Sequence, residues 1–166
     1  MNTSTVNASN FHDQALYPLT LYYDGSCQLC SAEIRNLALR NTLGRLRFVD
    51  CSPADFNSPI PGTCRADLMQ QMHALGAQGQ VLRAVDVFMA AYRAVGLPGV
   101  GRLLAHPVVR PIADRAYPWI VRNRHRLPRW LIGGLFEHAA RRAATRAASQ
   151  AQCRDGACAV HPEGRP

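Results

Sequence analysis

Two cysteines, Cys27 and Cys30, stand three positions apart in the stretch Asp24-Gly25-Ser26-Cys27-Gln28-Leu29-Cys30. Thiols at that spacing are suited to exchange with disulfides. The reactive species is the thiolate, and its formation depends on local electrostatics. The first turn of a helix stabilises it, because the backbone N–H groups there lack partners and the dipole is positive. A cysteine so placed falls from a pKa of about 8.5 toward roughly 3.5–7.5. Position assigns the roles. Cys27, nearer the helix start and more exposed, is expected to attack a substrate disulfide. Cys30, one turn further in, is expected to resolve the mixed disulfide. Asp24 stands beside the pair as a candidate base for the Cys30 proton. The alternative for Asp24 is a local hydrogen-bonding role at the Gly25 turn. Gln28 and Leu29, between the sulfurs, tune the reduction potential.

The elements that must hold this pair follow from periodicity. Leu19–Asp24 is an apolar run and predicts a buried strand. Ser26 is a candidate N-cap for the next helix. From Cys27 the spacing is helical, with Cys27, Cys30, Ile34, Leu37 and Asn41 on one face and Ala38 beside it. Glu33, Arg35, Asn36 and Arg40 fall on the other side, and Gly44 ends the helical region. Leu46–Asp50 alternates and predicts a second strand, parallel to the first through a right-handed crossover. Residues 51–62 read as a loop, and residues 63–71 fit either a short helix or an extended lead-in. Met72–Leu75 and Val81–Ala84 flank Gly76-Ala77-Gln78-Gly79, a hairpin signal. Val85–Val95 predicts a helix with Val85, Phe88, Met89 and Tyr92 on one stripe, stopped by Gly96 and Pro98. The order β-α-β, then β-β-α, is that of a thioredoxin-like α/β core.

This core is placed at residues 18–97, after a disordered leader, 1–17. A basic helical extension, 98–150, follows, cut into short helices by Pro107, Pro111, Pro118 and Pro128. One further helix is expected over Ile132–Ser149, then a flexible tail, 151–166. The chain has 166 residues, 48% hydrophobic and 18% charged, the composition of a soluble globular protein. No apolar run approaches the roughly 18–20 residues that cross a bilayer. The first eighteen residues contain no Lys or Arg and no apolar core, which argues against a secretory signal and for the cytoplasm. In a reducing compartment a Cys-x-x-Cys is catalytic or metal-binding rather than structural. Residues 1–99 are electrically neutral, with seven Arg and seven acidic residues. Residues 100–166 hold twelve Arg and four acidic residues, which is the whole formal net charge of +8.

Four stretches together resemble the DCC family of thiol-disulfide oxidoreductases, named for one Asp and two Cys. Asp24, Cys27 and Cys30 match its D-x-x-C-x-x-C spacing after a hydrophobic strand. Met72–Leu75 with Gly79–Leu82 resembles its hairpin, and Asp86-Val87-Phe88 the start of its second helix. There the family often has Gly where Ala84 sits and Ala where Val87 sits. The run Tyr117–Leu127 resembles its basic, aromatic C-terminal signature. The resemblance covers residues 19–130 and implies a thioredoxin-like fold and protein-disulfide oxidoreduction without a cofactor. The implied partners are a disulfide-containing protein or small-molecule substrate and an unidentified electron donor.

Other residues carry alternatives. Many thioredoxin-like proteins place a cis-proline before the third strand; here Met72 or His73 takes that place. His73 either lines the site or is a packed residue. Cys51 and Cys64 read as small buried hydrophobes. Cys153 and Cys158, a second pair in the tail, read either as a dithiol that shuttles electrons to the first pair or as incidental cysteines of a loose tail. With His161 they are candidate zinc ligands, and with Cys27 and Cys30 they would make a non-catalytic zinc module. Arg122, Arg124, Arg126 and Arg129 lie among Trp119, Ile120, Leu127, Trp130 and Leu131. That mixture suits either contact with an anionic lipid or nucleic-acid surface or a solvated cap on the core.

Overall fold

A computed structural model describes residues 14–126. Its elements are β1 (Leu19–Tyr23), α1 (Gln28–Arg40), β2 (Leu46–Asp50), α2 (Arg65–Gln70), β3 (His73–Leu75), β4 (Val81–Arg83), α3 (Val85–Ala94), α4 (Pro98–Ala105) and α5 (Val109–Asn123). The four strands form one mixed sheet in the order β2-β1-β3-β4. β1 and β2 run parallel, while β3 is antiparallel to both β1 and β4. This is the thioredoxin-like arrangement expected from the sequence. The expected helices over 132–149 and the tail lie outside the described residues.

β1 is central and covered on both faces. Leu19 and Leu21 have no exposed surface and pack with Ile34, Leu37, Val87 and Ala91 in the main core. Tyr22 points the other way, into a smaller cluster with Cys51, Ile60 and Leu68. Alternation along a strand sends successive side chains to opposite faces, so a run apolar at every position must be buried twice. Burying each large aliphatic side chain contributes about 1.5–3 kcal/mol. The core also begins earlier than the sequence suggests. Leu16 is buried, and the Tyr17 hydroxyl donates to the Ala90 carbonyl at 3.0 Å.

α1 departs from its expected polarity. Ile34 and Leu37 are buried as anticipated, but so are Glu33 and Asn36, from the side assigned to solvent, and Ala38 is exposed. α3 meets that side: Asn36 Nδ2 donates to the Tyr92 hydroxyl at 3.4 Å. α3 is likewise covered on two sides: Val87, Ala90 and Ala91 face the core, and Phe88 packs edge-on against Tyr117 of α5, 6.1 Å between ring centroids. α4 starts with Pro98 in its first turn, where a missing N–H costs nothing. Gly101 lets α4 lie against α3, since a Cβ there would sit 3.1 Å from the Met89 carbonyl oxygen.

Pro107 separates α4 from α5 as expected and Pro128 lies outside the described residues, but Pro111 and Pro118 do not break a helix. α5 runs unbroken through Pro118, and Pro111 sits in its first turn. An internal proline removes a hydrogen bond and costs about 3 kcal/mol. Anchors on both sides of Pro118 offset that loss. Arg110 bridges Asp86 of α3 at 2.6 Å and Asp114 at 2.8 Å. Tyr117 and Arg124 bind the core near the dithiol, as described below.

The hairpin between β3 and β4 closes with Gly76 N–H donating to Gln80 O at 2.8 Å, and Gly79 supplies a φ of +83°. The link from β4 to α3 is less comfortable. Ala84 has φ +50° and ψ −124°, a conformation that suits glycine, and it is the position at which the family often carries Gly. Its N–H donates to Met72 O at 3.0 Å, so the conformation is fixed by the strand ladder. Ala84→Gly is expected to stabilise the protein by about 1 kcal/mol, the relieved strain exceeding the added chain entropy. Urea denaturation of the two proteins checks this; an unchanged or lower midpoint contradicts it.

Candidate active site

The chain reaches the dithiol through a tight turn after β1. Asp24 is buried, and its Oδ1 accepts from the Ser26 N–H at 3.0 Å and from the Ser26 hydroxyl at 2.5 Å. The Cys27 N–H donates to the Asp24 carbonyl at 3.2 Å, and the Ser31 hydroxyl to the Gly25 carbonyl at 3.1 Å. Gly25 is required by proximity rather than by a positive φ. A Cβ there would lie 2.1 Å from the Asp50 carboxylate, which accepts from Gly25 N–H at 2.9 Å and Ser52 N–H at 2.8 Å.

The helix cap is Cys27 itself, not Ser26. Cys27 has extended backbone angles and its Sγ accepts from the Cys30 N–H at 3.4 Å. A cap is normally an oxygen, but a thiolate serves the same unpaired donor. Ser26 is instead occupied by Asp24. Donation from the Cys30 thiol is the main cause that lowers the Cys27 pKa to about 6. Burial opposes it; the Cys30 amide, Arg124 and His125 assist. The same sharing holds the proton on Cys30, whose pKa is pushed well up by its bond to Cys27, by burial and by the neighbouring negative charge. The pair is therefore electrically divided: thiolate at Cys27, thiol at Cys30.

The exposures are the reverse of those expected. Cys27 has no exposed surface, while Cys30 is half-buried. Capping explains this: Cys27 folds its sulfur back over the helix end, and Cys30 faces outward from the first turn toward the extension.

Arg124, one residue past α5, reaches across 100 residues of sequence to Asp24. Its Nη2 donates to Asp24 Oδ2 at 2.9 Å and also to the Met69 carbonyl. The side chains are 11% and 1% exposed, so this is a buried pair. The His125 Nε2 lies 3.6 Å from the same oxygen. Tyr117 adds a second tie, its hydroxyl accepting from the Met72 N–H at 2.9 Å. Met72 thus occupies the place before β3 anticipated for it, next to the site. His73 does not line the site; it is buried, with Nδ1 2.9 Å from the Gln71 carbonyl, and burial lowers its pKa.

Between α1, α3 and α5 lies a cavity of about 610 Å3. Cys30, Glu33 and Asn36 line it from α1, Phe88 and Tyr92 from α3, and Tyr117 with Arg124 from the extension. Its remaining surface is largely aliphatic, from Leu29, Leu68, Met72 and Val121 among others. Asn36 Nδ2 donates to the Tyr92 hydroxyl at 3.4 Å.

The other cysteines divide. Cys51 is buried, and burial pushes its thiol up to about 11. Cys64 is exposed, not buried as expected, because it caps α2 with its N–H donating to Asp67 Oδ2 at 2.9 Å. Cys153, Cys158 and His161 lie outside the described residues, among which no group of three or more His, Cys, Asp or Glu is arranged to hold a metal. Of the basic cluster, Arg122 and Arg126 are exposed as a surface reading requires, but Arg124 is turned inward. Arg129, Leu127, Trp130 and Leu131 also lie outside the described residues. Sequence reasoning missed Arg124 as the partner of Asp24, and Tyr117 and Glu33 as site residues. The signal for the first two was present: 117, 121 and 124 share one helical face.

A sheet of this topology with a strand-end aspartate and a helix-capping dithiol defines a thioredoxin-like redox protein. The DCC1-like thiol-disulfide oxidoreductase family matches residues 21–130, and this chain belongs to that family. It is 32% identical over 103 residues to an uncharacterized chloroplastic protein of Arabidopsis thaliana, a match covering 61% of this chain and 48% of that one. The chain spans about half the length of the curated relative it matches. No solved structure gives a significant match. Among the described residues no helix is long and apolar enough to cross a membrane.

Removing one member of a buried ion pair strands the other and costs about 3–5 kcal/mol. Asp24→Asn and Arg124→Met should each destabilise the protein by roughly 3 kcal/mol, and the double variant by clearly less than the sum. Urea unfolding of all four proteins measures the coupling; strict additivity contradicts a direct pair.

Proposed function

We propose that the protein reduces disulfides, proteins included, by exchange at Cys27 and Cys30. The observation that carries this is the capped, hydrogen-bonded thiolate: a sulfur ionised near pH 6 inside a helix-start motif of a redox family. A structural cysteine has no need of such a pKa. In the proposed cycle Cys27 Sγ attacks one sulfur of the substrate, forming a mixed disulfide and releasing the other sulfur as a thiolate. Cys30 then loses its proton and attacks Cys27 Sγ, which releases the second substrate thiol and leaves a Cys27–Cys30 disulfide. An outside dithiol restores the reduced pair. Because Cys27 is covered in the resting state, substrate entry must first displace the Cys30 thiol from it.

Asp24 is better suited to positioning than to proton transfer. Both of its carboxylate oxygens already accept from Ser26 or Arg124. Its negative charge adds to the forces that keep Cys30 protonated until the mixed disulfide forms. In that event the Cys27 thiolate is consumed, the interaction that most strongly raised Cys30 disappears, and Cys30 becomes easier to ionise. Cytoplasmic placement and contact of the exposed Arg122 and Arg126 with an anionic surface stay expectations from sequence.

Cys27→Ser should lower insulin-disulfide reduction by more than about 100-fold, the scale on which loss of a covalent nucleophile acts. Cys30→Ser should retain the first step and accumulate a mixed disulfide at Cys27, visible by intact mass. A fully active Cys27→Ser protein rejects the assignment.

A further inference from the structure

Cys27 is buried behind the helix start, and Cys30, half-buried, opens onto a chamber. The chamber's volume, about 610 Å3, falls within the roughly 300–1,000 Å3 of small-molecule sites. Its lining is mostly apolar; the Asp24–Arg124 pair and the Asn36–Tyr92 pair at its wall are already bonded to each other, which leaves two places of interest. One is the Cys30 sulfur. The other is Glu33, on the same helix and one turn deeper, where residues three apart share a face. Glu33 is only 6% exposed, and neither carboxyl oxygen has a hydrogen-bond partner. Burial pushes its carboxyl up toward the protonated form. Tyr92 and Asn36 offset part of that push without a hydrogen bond of normal geometry. A buried acid whose oxygens make no hydrogen bond of normal geometry is, when protonated, a donor suited to a neutral acceptor.

We propose that this chamber is the docking site of the electron donor that recharges the pair, a small apolar dithiol carrying a neutral carbonyl or amide at its far end. The apolar body fills the space between α1 and α5, the carbonyl accepts from Glu33, and the sulfurs meet Cys30. A glutathione-like donor is disfavoured, because the charged side chains of the lining, Asp24 and Arg124, are already committed to each other and its carboxylates and ammonium would have to compete for them in a mostly apolar space. The inference rests on the exchange reading above and names the donor that reading leaves open.

The division of charge between the sulfurs sets the direction of attack. In the oxidised protein a donor thiolate attacks Cys30 Sγ, the sulfur that faces the chamber. The Cys27–Cys30 bond breaks and Cys27 leaves as a thiolate, which its low pKa makes the better leaving group. The donor's second sulfur, deprotonated, then attacks the donor sulfur bound to Cys30. Cys30 departs and is protonated, and the donor closes its own disulfide. Two electrons pass from donor to protein. Of the donor's two protons, one ends on Cys30 and one in solvent, with Cys27 left as the thiolate.

The test uses the oxidised full chain and dihydrolipoamide, whose dithiol is carried on a short aliphatic chain ending in an amide. Dithiothreitol, which lacks that chain, serves as the reference at equal thiolate concentration. Reduction of the Cys27–Cys30 disulfide is followed by rapid alkylation and peptide mass. Dihydrolipoamide should be at least tenfold faster. Octanamide, the same chain and amide without sulfur, should erase that advantage, bringing dihydrolipoamide to the dithiothreitol rate measured in its presence. Ala116 of α5 also lines the chamber, and Ala116→Phe, which fills it, should act as octanamide does; the octanamide arm stands if that variant fails to fold. Equal rates for the two dithiols, or octanamide without effect, overturn the donor site while leaving the exchange reading intact. A Cys27–Cys30 disulfide inert to both dithiols overturns the exchange reading and the donor site with it.

Discussion

The buried carboxylate of Asp24 is the constraint from which the rest of the site follows. It ends β1, holds the turn through Ser26 and binds Arg124 from the far side of the molecule. A buried charge is tolerated only when paired and hydrogen-bonded. Arg124 therefore has to arrive, and with it α5. Once α5 is docked, Tyr117 ties down the residue before β3, and the chamber acquires its outer wall. The helical extension is thereby part of the candidate site.

The same contact shapes the chemistry. Arg124 lowers the pKa of both sulfurs, whereas the hydrogen bond between them lowers one and raises the other. The proton is consequently assigned by geometry, to the sulfur that caps nothing. Cys27 is stabilised by the helix start and hidden by it; Cys30 is neutral and faces the chamber. A dithiol divided in this way has two different approaches, and a small reductant and a large substrate need not use the same one.

Much of this was legible in the chain. The two parallel strands, the glycine hairpin and the helix over 85–94 follow from period and turn chemistry, and the dithiol from its spacing. What escaped has one physical origin: a helical pattern records polarity, not what lies opposite. Glu33 and Asn36 read as solvent-facing because nothing local says that Tyr92 of α3 comes to lie beside them. Pro118 read as a break because local cost is visible and tertiary compensation is not. Ser26 read as the cap because a hydroxyl is the usual acceptor, yet Asp24 claims it and leaves the helix end to sulfur. Ala84 was flagged only by resemblance, and its positive φ supplies the reason glycine is favoured there.

The central claim is that Arg124, brought in by Asp24, helps hold Cys27 as a thiolate behind the helix start. Its most direct test is the pH dependence of iodoacetamide labelling at Cys27, read by peptide mass, in the reduced wild type and in Arg124→Met. The account predicts a wild-type rate that rises through a midpoint near pH 6 and then levels, with the midpoint displaced upward in the variant. A wild-type midpoint at the value of about 8.5 for a free cysteine, or identical midpoints in the two proteins, would contradict it.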